Sequence, residues 1–494
     1  MNNIKFKRTL ALLLVSVLSV SVVGCRKTPK SDDNGNSSVP VDYEYVYEYE
    51  DDSGNELTSN NQSANSPNQS TPNNAGKTID QIDYLKNSGT KQEKLFGNLE
   101  GTTLRIVTGA TISDWDKAFM EQFKKKYKLK NIVTVPYSYQ EEQAKIVSII
   151  ASGDKKNYLD VITTGTTTLL RYVYGNILQP IDKYIDKSDS AWSYNGTSMF
   201  APDFFKVNGK IYGSPLVSFD EQYVFYNKTY FKENNIPDPY TEYYLKNNWN
   251  FETFKDVAKK ATTYAADGKT VKTYGFSMWN YFSFLNAAGN TVIKQNKNGK
   301  WNPCFDDEAG MAALKLLYDC KYNNWLSPYS GYTEFIERKT AMFLEKPVNA
   351  MGGTDAYNKM SDAIGMVPMP KWRNSDPYYA PVIAEGRGVP VCAKNVGAAV
   401  AYIYEYNVAT AVRNASEAYR TQRRKWISDE HLKIRNEYLK QCKFSYTLVD
   451  GLTGFYTENR GKFFDIMFNE KIAPANAVDR MKPLIQESIK KTVG

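Results

Sequence analysis

The 494-residue chain holds a single histidine, His431, and this limits the chemistry it can perform. A Ser-His-Asp triad, a His-rich zinc site or an HExxH metal motif would have to be built on that one ring. It sits in the polar run SDEHLKIRNEYLK, which reads as an exposed helix rather than a catalytic centre. Gly268-Lys269-Thr270 has the tail of a phosphate-binding loop, but the first glycine of that motif would fall at Thr263, so the cradle is absent. No GxSxG elbow, GxGxxG turn or kinase set occurs. Carboxylates are plentiful enough for a two-carboxylate glycosidase, yet no segment singles out a pair. Cys304, Cys320, Cys392 and Cys442 lack CxxC spacing, which indicates neither a redox motif nor zinc. Two disulfides in any of three pairings, or free thiols, are compatible with them.

The fifth cysteine carries a more specific signal. Lys5, Lys7 and Arg8 precede an apolar stretch, Leu10 to Val23, broken only by serines and too short to span a bilayer. It ends in Val22-Val23-Gly24-Cys25, which resembles the lipobox of bacterial lipoproteins, with Val22 where leucine is favoured. That resemblance makes residues 1–24 a signal peptide and Cys25 a lipidated anchor on the outer membrane face. Residues 25–97 read as a disordered tether rich in Ser, Asn, Pro and Tyr, including the run Tyr43-Glu44-Tyr45-Val46-Tyr47-Glu48-Tyr49-Glu50.

Charge excludes another class. The chain carries 62 basic and 54 acidic groups. The tether takes 7 and 12 of them, leaving a mild basic surplus spread over the remainder. No basic block of the nucleic-acid-binding kind appears.

The elements that must position any site begin after the tether. Thr103 to Val107 reads as a strand, Ser113-x-x-Asp116 as the start of a helix with Trp115, Phe119, Phe123 and Tyr127 on one face, and Asn131 to Val135 as a second strand. A helix from Glu141 to Ser152, a strand from Asp160 to Gly165 and a helix ending at Tyr174 follow, with a later helix from Asp306 to Tyr322. The β-α-β-α-β order predicts an α/β domain with a mostly parallel sheet. Ligands of such sheets bind at the carboxyl ends of the strands, here Thr108–Trp115, Pro136–Gln140 and Thr163–Thr167. Asp114, Tyr137, Thr164 and Gly165 are the candidates at these ends, and Trp115 belongs to the helix's core stripe.

Eight further segments occur in order: Asp160-Val161-Ile162, Gly175 to Ile181, Asn208 to Pro215, Tyr226-Asn227-Lys228, Asn234 to Pro237, Trp249 to Phe254, Lys339 to Met342, and Met366 to Pro370. Together they resemble the extracellular solute-binding proteins of carbohydrate ABC importers, the family that includes maltose-binding protein. The likeness covers about residues 99–490. It implies a two-lobed, type II clamp, each lobe a mostly parallel sheet flanked by helices, with hinge strands between. Lobe 1 would comprise 98–218 plus 389–427 and lobe 2 219–388 plus 428–494, with crossovers near Pro215–Asp220 and Ala380–Pro390.

The resemblance also suggests binding residues. Asp220 is either an acidic ligand residue at the cleft or a hinge carboxylate, and Trp279, beside Asn280, either stacks on a sugar face or packs in the core. Where many relatives have a tryptophan after Ala341-Met342, this chain has Val348 and Gly352-Gly353, so Trp372 or Tyr378 could substitute. Glu385 lies in the second crossover, and Phe455 and Tyr456 match an aromatic region that meets the sugar. The implied function is capture of a carbohydrate, with 37 Tyr favouring an oligosaccharide, for delivery to ABC permease subunits. The implied protein is a monomer anchored outside the cytoplasmic membrane, without cofactor or metal and without enzymatic activity. The alternatives are a surface glycan-binding or sensor protein and, further off, a secreted carbohydrate-active enzyme.

Overall fold

The chain's computed structural model describes residues 78, 81–85, 90–109, 112–137, 139–153, 156–193, 199–329, 332–345, 360–416 and 428–494. Cys25, the Tyr/Glu run, Val348 and the Gly352-Gly353 pair lie outside the described residues.

The first lobe is built as the sequence pattern predicts. Strands β1 (Thr103–Thr108) and β2 (Asn131–Pro136) pair in parallel, and Ile106 bridges in parallel to Val161 at the start of β3 (Ile162–Gly165). Between them run helices α1 (Asp114–Lys126) and α2 (Tyr139–Ser152), and α3 (Leu169–Tyr174) follows β3. The Ser113 hydroxyl accepts the Asp116 amide at the start of α1, satisfying one of the helix's orphan donors. Trp115, Phe119 and Phe123 then fall on one buried face. That face packs against Tyr402 and Tyr406 of a late helix, α7 (Val396–Ala415), with Phe119 edge-on to Tyr402 at 5.3 Å. Trp115 is therefore core, as its stripe position implies.

Two long strands run from this lobe into the next. β4 (Gly213–Glu221) pairs antiparallel with β9 (Tyr379–Gly388) from Gly213↔Gly388 to Glu221↔Val382. At one end β9 joins β3, and at the other it pairs in parallel with β10 (Lys443–Ser445).

The second lobe holds a five-stranded sheet in the order β8-β5-β7-β6 followed by the short strand Thr263–Tyr264. Here β5 is Tyr223–Asn227, β6 Val271–Met278, β7 Thr340–Glu345 and β8 Ile364–Pro368. Only β7 and β6 pair in parallel; β5 is antiparallel to both of its neighbours. The sheet is thus mixed rather than mostly parallel, because β5 enters directly from β4 with no crossover helix to reverse its direction. Helices α4 (Phe251–Ala261) and α8 (Asp429–Gln441) pack on this sheet, and α5 (Phe282–Ala287), α6 (Glu308–Tyr322), α9 (Arg460–Phe468) and α10 (Pro474–Val493) form a further layer, with α6 against α4, α5, α9 and α10. Asp307 caps α6, so that helix starts two residues later than the sequence suggests.

Two other expectations are corrected. Ile82 and Tyr84, assigned to the tether, are 1% exposed within the first-lobe core, so packed structure begins before Gly97. His431 is on a helix, but its ring is 4% exposed and lies 3.2 Å from the Ile364 carbonyl. The run around it hides a stripe, His431, Ile434, Tyr438 and Leu439, that binds α8 to the edge of the sheet. The four cysteines among the described residues are free thiols, and burial pushes the Cys442 thiol up to about 12.

Candidate functional site

In the second lobe β6 ends at Met278, and Trp279 follows with its ring half-buried. The next two residues hold that loop. The Asn280 side chain accepts the Phe282 amide at 3.2 Å, and Tyr281 packs on Phe464 and Phe468 at 5.0 and 4.3 Å. That bond occupies the Asn280 side chain at the start of α5.

Arg460, at the start of α9, crosses the Tyr456 ring at 5.3 Å and the Phe464 ring at 5.1 Å. Its Nε lies 3.3 Å from Asp450 Oδ1. Burial raises the Asp450 carboxyl above its ordinary range, opposed by the positive charges of Arg460 and of Arg171 on α3. Arg171 in turn donates to the Thr167 carbonyl at 2.8 Å. A Cβ on Gly451 would stand 2.9 Å from the Thr166 carbonyl, so the backbone of one lobe lies directly on the other. Segment 449–460 therefore ties the loop after β3 to the loop after β6.

On the first-lobe side, the Gly165 amide donates to the Thr168 hydroxyl at 3.0 Å and the Thr166 amide to the Ala384 carbonyl at 2.9 Å. A Cβ on Gly165 would meet Ala384 O at 2.8 Å and Glu385 Cγ at 3.3 Å, so only glycine lets β3 end this close to β9.

The sequence candidates separate on this geometry. Trp279, Tyr456 at 38% exposed, half-buried Glu385 and Gly165 all belong to the strand-end region. Asp114 is exposed and paired with Lys117 at 2.7 Å, and half-buried Tyr137 carries the Lys145 ammonium 4.7 Å above its ring. Asp220 sits opposite Ile383 on the crossover ribbon. Phe455 is corrected: it is 0% exposed and packs on Phe282 and Phe463, because the left-handed Gly454 turns it inward and its neighbour Tyr456 outward. Thr164 is also buried, with its hydroxyl 3.4 Å from that of Thr168, and offers no open face. Trp372 has one face covered by the Arg373 guanidinium at 3.6 Å, and Tyr378 is buried against Tyr244.

Sequence reading missed Arg171, Asp450 and Arg460. A signal existed: Asp450 interrupts the apolar run Leu448-Val449-Asp450-Gly451-Leu452, and a carboxylate there needs a cationic partner. Aromatic rings beside guanidinium and carboxylate groups can stack on C–H faces and bridge hydroxyls. Among the described residues, no group of three or more His, Cys, Asp or Glu side chains could hold a metal ion.

Comparison with known proteins agrees with this architecture. Solved structures similar to the chain include an ABC substrate-binding protein from Listeria monocytogenes in complex with cycloalternan. It is 16% identical, with a TM-score of 0.57 over 79% of this chain and 100% of that one. An extracellular solute-binding protein from Staphylococcus aureus in complex with maltose is 15% identical, with a TM-score of 0.56 over 79% and 98%. The cyclic alpha-maltosyl-1,6-maltose binding protein from Arthrobacter globiformis is 13% identical, with a TM-score of 0.59 over 79% and 99%. At these identities the likeness is one of fold, the two-lobed clamp. The model of the bacterial extracellular solute-binding protein family matches residues 118–422, more than half of the sequence, and the chain belongs to that family.

Proposed function

We propose that this protein captures a carbohydrate, an oligosaccharide in particular, between its two lobes and hands it to the permease of an ABC importer. The observation that carries the reading is the convergence of Tyr456, Arg460 and Asp450 with the Thr166–Thr168 loop, which lies against Glu385 on β9, while Trp279 follows the end of β6. Rings to stack on sugar faces and charged groups to accept and donate hydroxyl hydrogen bonds are what a polyol requires. The named sugar ligands of the similar structures support the same class. In this reading the packed residues from Ile82 to 218 with 389–427 form lobe 1, 219–388 with 428–494 form lobe 2, and β4 with β9 is the hinge ribbon. The site needs no cofactor and turns nothing over. Signal cleavage before Cys25 and lipidation of its thiol would hold the protein on the outer face of the cytoplasmic membrane, as a monomer on a tether.

A thermal-shift and calorimetry screen of the purified protein against a glycan panel tests the reading. A ligand at 100 times its dissociation constant adds ~2.7 kcal/mol of stability. A panel without a binder, or a glycan that is cleaved, would sink it. For the anchor, Cys25→Ser is expected to release the protein into the medium or leave unprocessed precursor, read by membrane fractionation and lipid labelling. Undisturbed labelling of that variant refutes the assignment.

A further inference from the structure

β9 carries an arginine that the fold leaves without a carboxylate. Arg387 is 8% exposed, and among the described residues no Asp or Glu forms an ion pair with it, although the Asp116 charge is felt there. Its Nη1 donates to the Val107 carbonyl at 3.2 Å, one residue before the end of β1. Its guanidinium lies over the Tyr402 and Tyr406 rings at 5.4 and 5.0 Å. The nearest acid, Asp116, is already engaged: one oxygen accepts the Tyr406 hydroxyl at 3.1 Å and the other the Ser113 hydroxyl at 2.7 Å. Burial works against the Arg387 charge, and Tyr402, Tyr406 and Asp116 together offset that cost, so what the fold leaves unmet is the Nε donor rather than the charge.

The groups around it are also short of partners. Arg387 Nε, Thr108 Oγ1 and Trp115 Nε1 are buried without a hydrogen-bond partner. Trp115 is edge-on to Tyr406 at 4.9 Å, the ring that Arg387 crosses, and Thr108 follows the carbonyl that Arg387 grips. All three groups therefore lie about the carboxyl end of β1, beside the amino end of α1, where Ser113 caps the Asp116 amide and Asp114 and Asp116 already stand in the first turn. At the end of the strand Gly109 is exposed and Thr108 half-buried. A guanidinium presents a planar fork of donors that matches a carboxylate in two parallel bonds and a neutral hydroxyl less well.

We infer that Arg387, with Trp115 Nε1 and Thr108 Oγ1, forms an anion-accepting subsite in the first lobe, and that the ligand is an acidic saccharide whose carboxylate docks there. This rests on the carbohydrate reading above and narrows it from neutral sugars to uronate-bearing ones. Arg387 is then the group that determines specificity, while the aromatic residues across the cleft hold the rings.

The test is calorimetry on the whole protein with matched pairs: trigalacturonate against galactotriose, and a glucuronate-bearing xylo-oligosaccharide against xylotriose. The parent is expected to prefer the acidic member of a pair at least tenfold, and Arg387→Gln is expected to reduce that ratio at least tenfold. Should Arg387→Gln not fold, Arg387→Lys and Trp115→Phe carry the same test. Lysine keeps the charge without the fork, and phenylalanine keeps the ring without the donor, so each is expected to narrow the ratio several-fold. Binding of only the neutral members overturns this inference and leaves the carbohydrate reading standing. A preference for acid that survives all three substitutions overturns the assignment of the subsite. Failure of every saccharide overturns both readings.

Discussion

At the scale of single residues, Trp279 and Phe455 make a matched contrast. Both are expected from the family resemblance to meet a sugar, yet one residue is half-buried at a strand end and the other is sealed among Phe282 and Phe463. Trp279→Ala is expected to weaken saccharide binding by ~1–3 kcal/mol, the usual worth of a large contact buried from water, with the ligand-free melting temperature almost unchanged. Phe455→Ala is expected to cost about 3–5 kcal/mol of stability through the cavity it leaves. Calorimetry and thermal melts on the pair decide it, and a reversed pattern would put the cleft elsewhere.

His431 gives a second test. Burial pushes its pKa below the ordinary 6.5, so the folded state binds this proton less readily than the unfolded chain. The resulting stability is complete above the unfolded value and is lost as pH falls from there through the folded value. Melting temperature should therefore drop more steeply below about pH 6.5 in the parent than in His431→Gln, and parallel curves would contradict this. The burial of His431 was illegible in the sequence because the polar residues flanking it conceal a four-residue stripe that only the neighbouring strand β8 reveals.

At the scale of elements, what was legible followed local rules. Ser113 caps a helix as its spacing predicts, and alternating strands and helices in the first lobe give the parallel pairing that their order demands. What was not legible depended on distant partners. The mixed second sheet arises because β4 runs straight into an antiparallel β5, and the late segment 449–460 reaches back across nearly 300 residues to Thr166 and Arg171. The crossover ribbon shows how tightly such long-range pairing is specified. A Cβ at Gly386 would stand 1.9 Å from the Ser214 carbonyl and 2.6 Å from Pro215 Cα, both backbone atoms that cannot turn aside. Gly386→Ala is expected to part β4 from β9, lowering stability by about 1–3 kcal/mol and weakening ligand binding with it. Unchanged melting temperature and affinity in this variant would show that the ribbon tolerates separation.

For the whole molecule, the question is how far the lobes can part. Beyond the two crossover strands, a second joint spans them. Trp301 Nε1, on the hairpin 293–303, donates to the Tyr174 hydroxyl at 2.8 Å at the end of α3. The Gln295 amide of the same hairpin donates to Asn208 Oδ1 at 2.5 Å, and Phe204 packs on Tyr446 at 4.4 Å. A clamp closing on a sugar pivots where its lobes already touch, and these contacts lie beside β4 and its preceding hairpin, so they restrict rotation about the ribbon. Ligand should still compact the protein, because a cleft buries a sugar only by bringing its walls together. Trp301→Phe keeps the packed ring and deletes the donor. It is expected to enlarge the ligand-free radius of gyration in small-angle scattering while leaving the saturated form unchanged. Affinity should fall accordingly, since more of the free protein must be gathered in before it can bind. Identical scattering curves for parent and variant, with and without saccharide, would mean that the ribbon alone sets the hinge.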